Sequence, residues 1–379
     1  MKQINGDFLS WPETKAVFQA LDVSGSKVLF VGGCIRDNLL QLPVHDVDIA
    51  TDLMPTDVVS LAKANGLRTL LTGIQYGTVM VISGGKPFEV TTFRRDIKPD
   101  GRHSKVVFSK IIEEDAKRRD FTINALYATF EGKLIDPLNG LEDLKTRCLR
   151  FVGNPEKRVK EDYLRSIRLF RFFGCFHGLQ MQIIPESLAA VTANLDGLLN
   201  LSKERIGAEI MKLLSAANPS DAISLMKDVG VLKRIMPGAT DNVLKSLVAL
   251  ESTPDPVLRL AALGKKMGEN LRIRRVDYCR AKKLRKLAQG MMTGAELGYR
   301  YGETDALATL TLRAAFRELQ IEASEIDAVY NAAKQVFPVS ASDLMPTYKG
   351  RLLGQKLNHL ENEWILSRFT LNKDELLSR

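Results

Sequence analysis

The sequence predicts an α+β fold: a mixed β-sheet with helices over roughly the first 150 residues, then a chain that is helical to its end. Three observations carry that reading. Short β-rich runs alternate with helical stretches and turn signals up to about residue 150. From about Asn154 onward, apolar residues recur at helical spacing with Pro and Gly at the joints. The length, 379 residues, exceeds what one hydrophobic core usually organises, so several packed units are expected.

The elements follow in order. Lys27 to Val31 reads as a strand ending in Gly32-Gly33, a helix follows over about Ile35 to Leu40, and Val47 to Ala50 is the next strand. Thr78 to Ser83 and Phe88 to Phe93 are strands on either side of the Gly84-Gly85 turn signal, and Val106 to Phe108 is another. Helices are expected at Lys160 to Phe176, Glu186 to Asn200, Glu204 to Ala216, Pro219 to Asp228 and Thr304 to Glu318. Asn218 before Pro219 suits an N-cap followed by a first helical residue. No repeat of fixed period and no low-complexity tract interrupts them.

Composition removes several function classes. With 45% hydrophobic and 26% charged residues the chain is neither disordered nor fibrous. Cys34, Cys148, Cys175 and Cys279 form no C-x-x-C pair, so neither a disulfide framework nor a cysteine zinc site is supported, and a reducing compartment fits. No run approaches the ~20 apolar residues of a membrane helix, and Met1 to Lys15 has no apolar signal core. A cytoplasmic protein is expected. The net charge of +9 and pI near 9.3 favour a polyanionic partner. Between Lys265 and Lys286 ten basic residues (Lys265, Lys266, Arg272, Arg274, Arg275, Arg280, Lys282, Lys283, Arg285 and Lys286) face only Glu269 and Asp277, a segment suited to phosphate-backbone contact.

The sharpest chemical cluster is Gly32-Gly33-Cys34-Ile35-Arg36-Asp37 followed by Asp46-Val47-Asp48. Residues two apart on a strand share a face, so the carboxylates of Asp46 and Asp48 project together and repel unless a cation sits between them. Two hard oxygen ligands at that spacing suit Mg²⁺ shared with substrate phosphates. The glycine pair ahead of a helix allows close approach of a triphosphate that Arg36 can neutralise. His45-Asp46 lacks the further histidines of a metal phosphohydrolase, since His103, His177 and His359 show no ligand spacing. Cys34 has no histidine near it in sequence and suits a tight turn better than nucleophilic catalysis.

Gly32 to Asp48 resembles the signature of the nucleotidyltransferase superfamily, in the branch of class II tRNA nucleotidyltransferases and bacterial poly(A) polymerases. Further motifs agree in order and cover essentially the whole chain. Glu89-Val90-Thr91-Thr92-Phe93-Arg94 resembles the strand of the third active-site carboxylate, and Asp96 to Val106, with Asp100-Gly101-Arg102-His103, the flexible loop. Arg118-Arg119-Asp120-Phe121-Thr122-Ile123-Asn124-Ala125 matches the next motif, and Asp136-Pro137, Gly140 and Asp143-Leu144 resemble the hinge between head and neck. Glu161-Asp162-Tyr163-Leu164-Arg165, with Arg168 and Arg171-Phe172, resembles the base-reading helix, and Ser202 to Glu209 its support. Phe337-Pro338, Asp343-Leu344 and Leu353-Gly354 to Trp364 look like the tail of alphaproteobacterial and mitochondrial-type enzymes.

The resemblance implies a catalytic nucleotidyltransferase head over 1–150, a neck with the base-reading helix over 151–217, and a basic body (218–300) and tail (301–379) that bind tRNA. It implies CCA addition to the tRNA 3′ end from CTP and ATP, without a template and with Mg²⁺. Asp46 and Asp48 would hold metal, with Glu89 as a further catalytic carboxylate. Gly32, Gly33, Arg36, Arg119, Asp162, Arg165, Arg168 and Arg171 would bind nucleotide, and Lys265, Lys266, Arg274, Arg275, Arg280, Lys282 and Lys283 RNA. Helical spacing sets Asp162, Arg165 and Arg168 along one flank, with Leu164, Ile167 and Phe170 on a packing flank. The alternatives are a bacterial poly(A) polymerase, whose loop run and basic extension do not match here, an A-adding specialist, and a catalytically silent RNA-binding protein.

Overall fold

Val28-Leu29-Phe30-Val31, apolar, β-branched and aromatic, is the kind of run that fills the middle of a sheet. In a computed structural model of the chain, which describes residues 3–97, 105–264 and 271–379, it forms the strand β1 (Val28–Val31). The strands that follow are β2 (Asp48–Thr51), β3 (Arg68–Leu70), β4 (Thr78–Ser83), β5 (Lys86–Thr92), β6 (Arg94–Ile97), β7 (Lys105–Phe108), β8 (Tyr127–Ala128) and β9 (Leu134–Ile135). The main sheet has the order β3-β4-β5-β2-β1-β8-β9, and β6 pairs with β7 in a ladder of its own. Every neighbouring pair of the main sheet is antiparallel except β2 and β5, which run parallel with Asp48 opposite Glu89. Phe88 and Val90 flank Glu89 and are buried, as are Val47 and Ile49 around Asp48, so the register fixes which side chains face the site. Gly84 and Gly85 both adopt positive φ in the expected β4–β5 turn, a conformation that side chains disfavour.

Two compact units divide the chain: Met1–Arg205 with Val229–Arg234, and Ile206–Asp228 with Ile235–Arg379. The first holds the sheet together with α1 (Pro12–Leu21), α2 (Gly33–Leu39), α3 (Pro55–Ala64), α4 (Ile112–Arg118), α5 (Gly140–Lys145), α6 (Pro155–Glu161), α7 (Leu164–Cys175) and α8 (Pro185–Thr192). Its core gathers Leu29, Val31, Ala50, Phe93, Ala116, Ala125, Tyr127 and Val152. The expected helix from Lys160 to Phe176 breaks in two. Asp162 adopts extended angles (φ −155, ψ 104), and its Oδ1 accepts a hydrogen bond from the Leu164 N–H at 3.1 Å. A short acidic side chain that competes for the backbone in this way ends one helix and caps the next. Asp162, Arg165 and Arg168 therefore do not lie on one flank of a continuous helix. The expected helix over Glu186 to Asn200 also shortens, ending at Thr192 before a 3₁₀ turn at Leu195–Asn200. The helical half contains one small exception, β11 (Gln182–Ile183), which pairs in parallel with β10 (Cys148–Leu149).

The first of the three crossings between units falls within α9 (Lys203–Leu214). The remaining helices are α10 (Ser220–Asp228), α11 (Val231–Ile235), α12 (Leu244–Leu250), α13 (Pro256–Leu263), α14 (Arg275–Ala288), α15 (Gly294–Arg317), α16 (Ala323–Ala332), α17 (Ala341–Leu344), α18 (Gly350–Leu366) and α19 (Lys373–Leu377). As expected, Asn218 caps α10, its Oδ1 accepting from Ser220 N–H at 2.9 Å. Among the described residues no helix is long and apolar enough to cross a membrane.

In this second unit Arg259 is 1% exposed. It donates to the carbonyls of Leu214 (2.6 Å), Ala216 and Ala217 (2.9 Å) and pairs with Glu251. A buried guanidinium serves in this way as the C-terminal cap of α9. Arg259→Met should lower the unfolding free energy in urea by about 3–5 kcal/mol, because Glu251 and the carbonyls lose their partner in a dry interior.

Candidate active site

β1 ends where Gly32 takes φ 73 and ψ −116, angles that only glycine adopts without strain, and the chain turns directly into α2. A β-carbon at Gly32 would lie 3.4 Å from both Arg119 Nη1 and the Asn124 carbonyl, so the turn brings bare backbone beside that guanidinium. β2 follows with Asp48 as its first residue. Asp46 lies in the exposed segment just before it, and Val47 turns inward between the two. The two carboxylates and Glu89 feel one another: burial, then the charges of Glu89 and Asp46, push the Asp48 carboxyl up to about 6, against the pull of Arg119 and Arg36. Burial and the Asp48 charge also push the Cys34 thiol up to about 12, which leaves it inert at neutral pH.

Glu89 opens onto a cavity of about 640 Å³ whose walls also carry Arg94, Arg118, Asp162, Arg165 and Arg205. Asp162 keeps its Oδ2 on Arg205 Nη2 at 2.6 Å. Arg165 donates from Nη1 to Glu161 Oε2 (2.8 Å) and to the Arg158 carbonyl (2.9 Å), and from Nη2 to the Arg118 carbonyl (3.2 Å). Five N–H groups less those three leave its Nε–H and one Nη2–H, and the Asp162 carboxylate likewise retains acceptor sites beyond its bonds to Arg205 and Leu164.

Other expected nucleotide-binding residues have different surroundings. Arg36 gives Nε and Nη2 to Asp37 (2.8 and 2.9 Å) and Nη1 to Asn124 (2.6 Å), and its guanidinium lies 5.0 Å from the Phe172 ring centre, so its charge is already met within the protein. Arg168 holds Asp120 Oδ2 at 2.8 and 2.5 Å, and Arg171 lies 4.0 Å from the Phe172 ring centre; neither lines the cavity. Gly33 is the first residue of α2. Arg119 is fixed by Asp115 and Tyr127, two residues without a local signal, because Asp115 is one of three acids in the first turn of α4 and Tyr127 is a lone tyrosine in β8. Arg205 was also unmarked; only its place within Ser202 to Glu209 hinted at it.

The basic segment divides in the same way. Arg280 bridges Asp255 (2.7 Å) and Asp305 (2.8 Å), Lys283 also meets Asp305 (2.5 Å), and Arg274 pairs with Asp277 (2.7 Å). Arg275 and Lys282 are exposed on α14, with Lys282 5.8 Å from the Tyr278 ring centre. Lys265, Lys266 and the loop residues Asp100, Gly101, Arg102 and His103 lie outside the described residues.

Asp115 is buried, which alone would raise its pKa, but Arg119 and Arg118 outweigh that and hold it at about 2, below the 3.8 of a free aspartate. A depressed carboxyl contributes stability that is present above pH 4 and is lost as pH falls towards 2. The unfolding free energy should drop across that window by on the order of 2 kcal/mol on this account, and urea titrations of Asp115→Asn should show a flatter fall.

The chain matches the model of the poly(A) polymerase head domain over residues 28–150, and that of a probable RNA and SrmB-binding site of polymerase A over residues 180–242. It is 32% identical over 367 residues to CCA tRNA nucleotidyltransferase 1, mitochondrial, of Danio rerio, covering 92% of this chain and 85% of that protein. The CCA-adding enzyme of Levilactobacillus brevis is 40% identical over 219 residues, 57% of this chain and 53% of that one. Among solved structures, the Bacillus stearothermophilus CCA-adding enzyme in complex with CTP aligns with a TM-score of 0.81 at 28% identity, covering 96% and 94% of the two chains.

Proposed function

The chain belongs to the CCA tRNA nucleotidyltransferases, and we propose on that basis that it adds C, C and A to the tRNA 3′ end from CTP and ATP, releasing pyrophosphate. The observation that carries this reading is the cavity that joins Glu89 to Asp162 and Arg165: Glu89 is the strand partner of Asp48, so the cavity with the base-selective groups reaches the carboxylate next to the metal-holding strand.

The 3′-hydroxyl of tRNA attacks the α-phosphorus in line, so the site must orient two reactants and neutralise charge. Asp46 and Asp48 suit Mg²⁺. They are hard oxygen donors, and the Asp48 carboxyl is raised first by burial and then by the charges of Glu89 and Asp46, which a cation would offset. Bound Mg²⁺ would lower the pKa of the attacking hydroxyl and clamp the triphosphate, with Glu89 as an adjoining carboxylate. Gly32 and Gly33 admit the triphosphate to the backbone, Arg119 Nη1 meets triphosphate or sugar beside them, and Arg36 and Arg168 brace Asn124 and Asp120 of the same motif. The head over 1–150 performs transfer, the neck over 151–217 reads the base, and 218–379 grips tRNA phosphates through the basic set around α14, led by Arg275 and Lys282. We place the reaction in the cytoplasm, where four unpaired cysteines are at home.

A tRNA lacking CCA, offered CTP and ATP, should gain three residues and then stop; an open-ended A ladder would instead identify a poly(A) polymerase. Asp46→Ala or Asp48→Ala should cut transfer by about a thousandfold or more while tRNA affinity stays within about twofold, because the carboxylates serve metal and not the RNA body.

Base choice follows from donor and acceptor types. Cytosine and adenine present an amino donor beside a ring-nitrogen acceptor, whereas uracil and guanine present the reverse. A carboxylate only accepts and a guanidinium only donates. Asp162 and Arg165 satisfy the first pattern and oppose the second, at roughly 1–3 kcal/mol for each buried polar group left unpaired. Asp162→Ala should admit UTP or GTP relative to CTP in competition assays and slow the reaction overall; full retained discrimination would move the base-reading role elsewhere.

A further inference from the structure

Asp115 and Tyr127 are both shielded from solvent. Asp115 Oδ1 accepts from Arg118 Nε at 2.8 Å, and its Oδ2 accepts from Arg119 Nη2 at 3.0 Å and from the Tyr127 hydroxyl at 2.6 Å. Tyr127 in turn accepts from Arg119 Nε at 3.1 Å. Burial raises the phenol, so it remains a donor to Asp115 at any working pH. Arg119 thus spends Nε and Nη2 inward and turns Nη1 to the Gly32 backbone, while Arg118 lines the cavity of Asp162 and Arg165. Here one carboxylate with two oxygens sends each of two consecutive arginines to a different part of the site.

We propose that Asp115 and Tyr127 are a buried positioning pair that aims Arg119 at the nucleotide beside Gly32 and Arg118 at the base cavity, so that they set nucleotide affinity without touching nucleotide. The inference rests on the reading that Arg119 contacts the substrate. Tyr127→Phe removes only the hydroxyl and keeps the ring packed against Phe93. Its KM for both CTP and ATP should rise about tenfold, with the KM for tRNA unchanged. In an Arg119→Gln background the same change should add nothing further, since both act through one guanidinium. If Arg119→Gln raises the nucleotide KM and Tyr127→Phe does not, the positioning role fails while the substrate-contact reading stands. If neither raises it, the contact reading fails and the inference with it. Fully additive effects of the two changes would also overturn it. Should Phe at 127 prevent folding, Asp115→Glu, which keeps the charge but lengthens its reach, is judged by the same KM and additivity criteria.

Discussion

Charges that are taken out of water must be answered inside the protein, and the first unit is arranged around one place where that demand is severe. Arg118, Arg119 and Asp120 follow one another at the end of α4, the two arginines turning back onto one carboxylate of the same helix and Asp120 meeting a guanidinium from α7. Asp115 receives both arginines. Asp120 receives Arg168 and Asn124, which together hold its carboxyl far below the usual range despite its burial. The backbone carbonyl of Arg118 accepts from Arg158 and Arg165, so the helix end is capped by guanidiniums from α6 and α7. Ion pairs in such surroundings gain little over a hydrophobic replacement, but losing one partner is expensive. The cluster therefore constrains geometry more than it adds stability, and it ties the sheet, α4 and the two neck helices at the wall of the cavity.

Much of this was legible in the sequence, for reasons that can be named. The strand around Val28 to Val31, the Gly84-Gly85 turn and the Gly32 corner depend on local propensity and backbone freedom, which a short window of residues carries. Asp46, Asp48, Asp162 and Arg165 stood out because their spacing has a chemical meaning. The break at Asp162 was invisible, since the apolar positions keep helical spacing across it and only the competition of one carboxylate for the Leu164 N–H ends the helix. Tyr127 and Asp115 were equally hidden. Their importance lies in what they touch across the fold, and no periodicity encodes that.

The basic segment shows the same limit in electrostatic form. Counted along the chain, Arg280 and Lys283 look like parts of one cationic strip. In space they meet Asp255 and Asp305, each more than twenty residues away in sequence. Their charge is largely neutralised where it stands, so α14 presents a narrower positive surface than its composition suggests, and Arg275 and Lys282 carry more of its long-range field.

The parallel pairing of β2 with β5 has a consequence for fidelity of folding. Asp48 and Glu89 face one another between buried neighbours, Ile49 on one strand and Phe88 and Val90 on the other. A slip of one residue would carry Glu89 into the interior and an apolar side chain out beside Asp48. Such a misaligned sheet would bear an unpaired buried charge and lose core contacts together, so it would be thermodynamically rejected before it could act. Catalytic alignment is in this sense inspected by the hydrophobic core: a molecule that has folded at all has already passed the test of bringing those two carboxylates level.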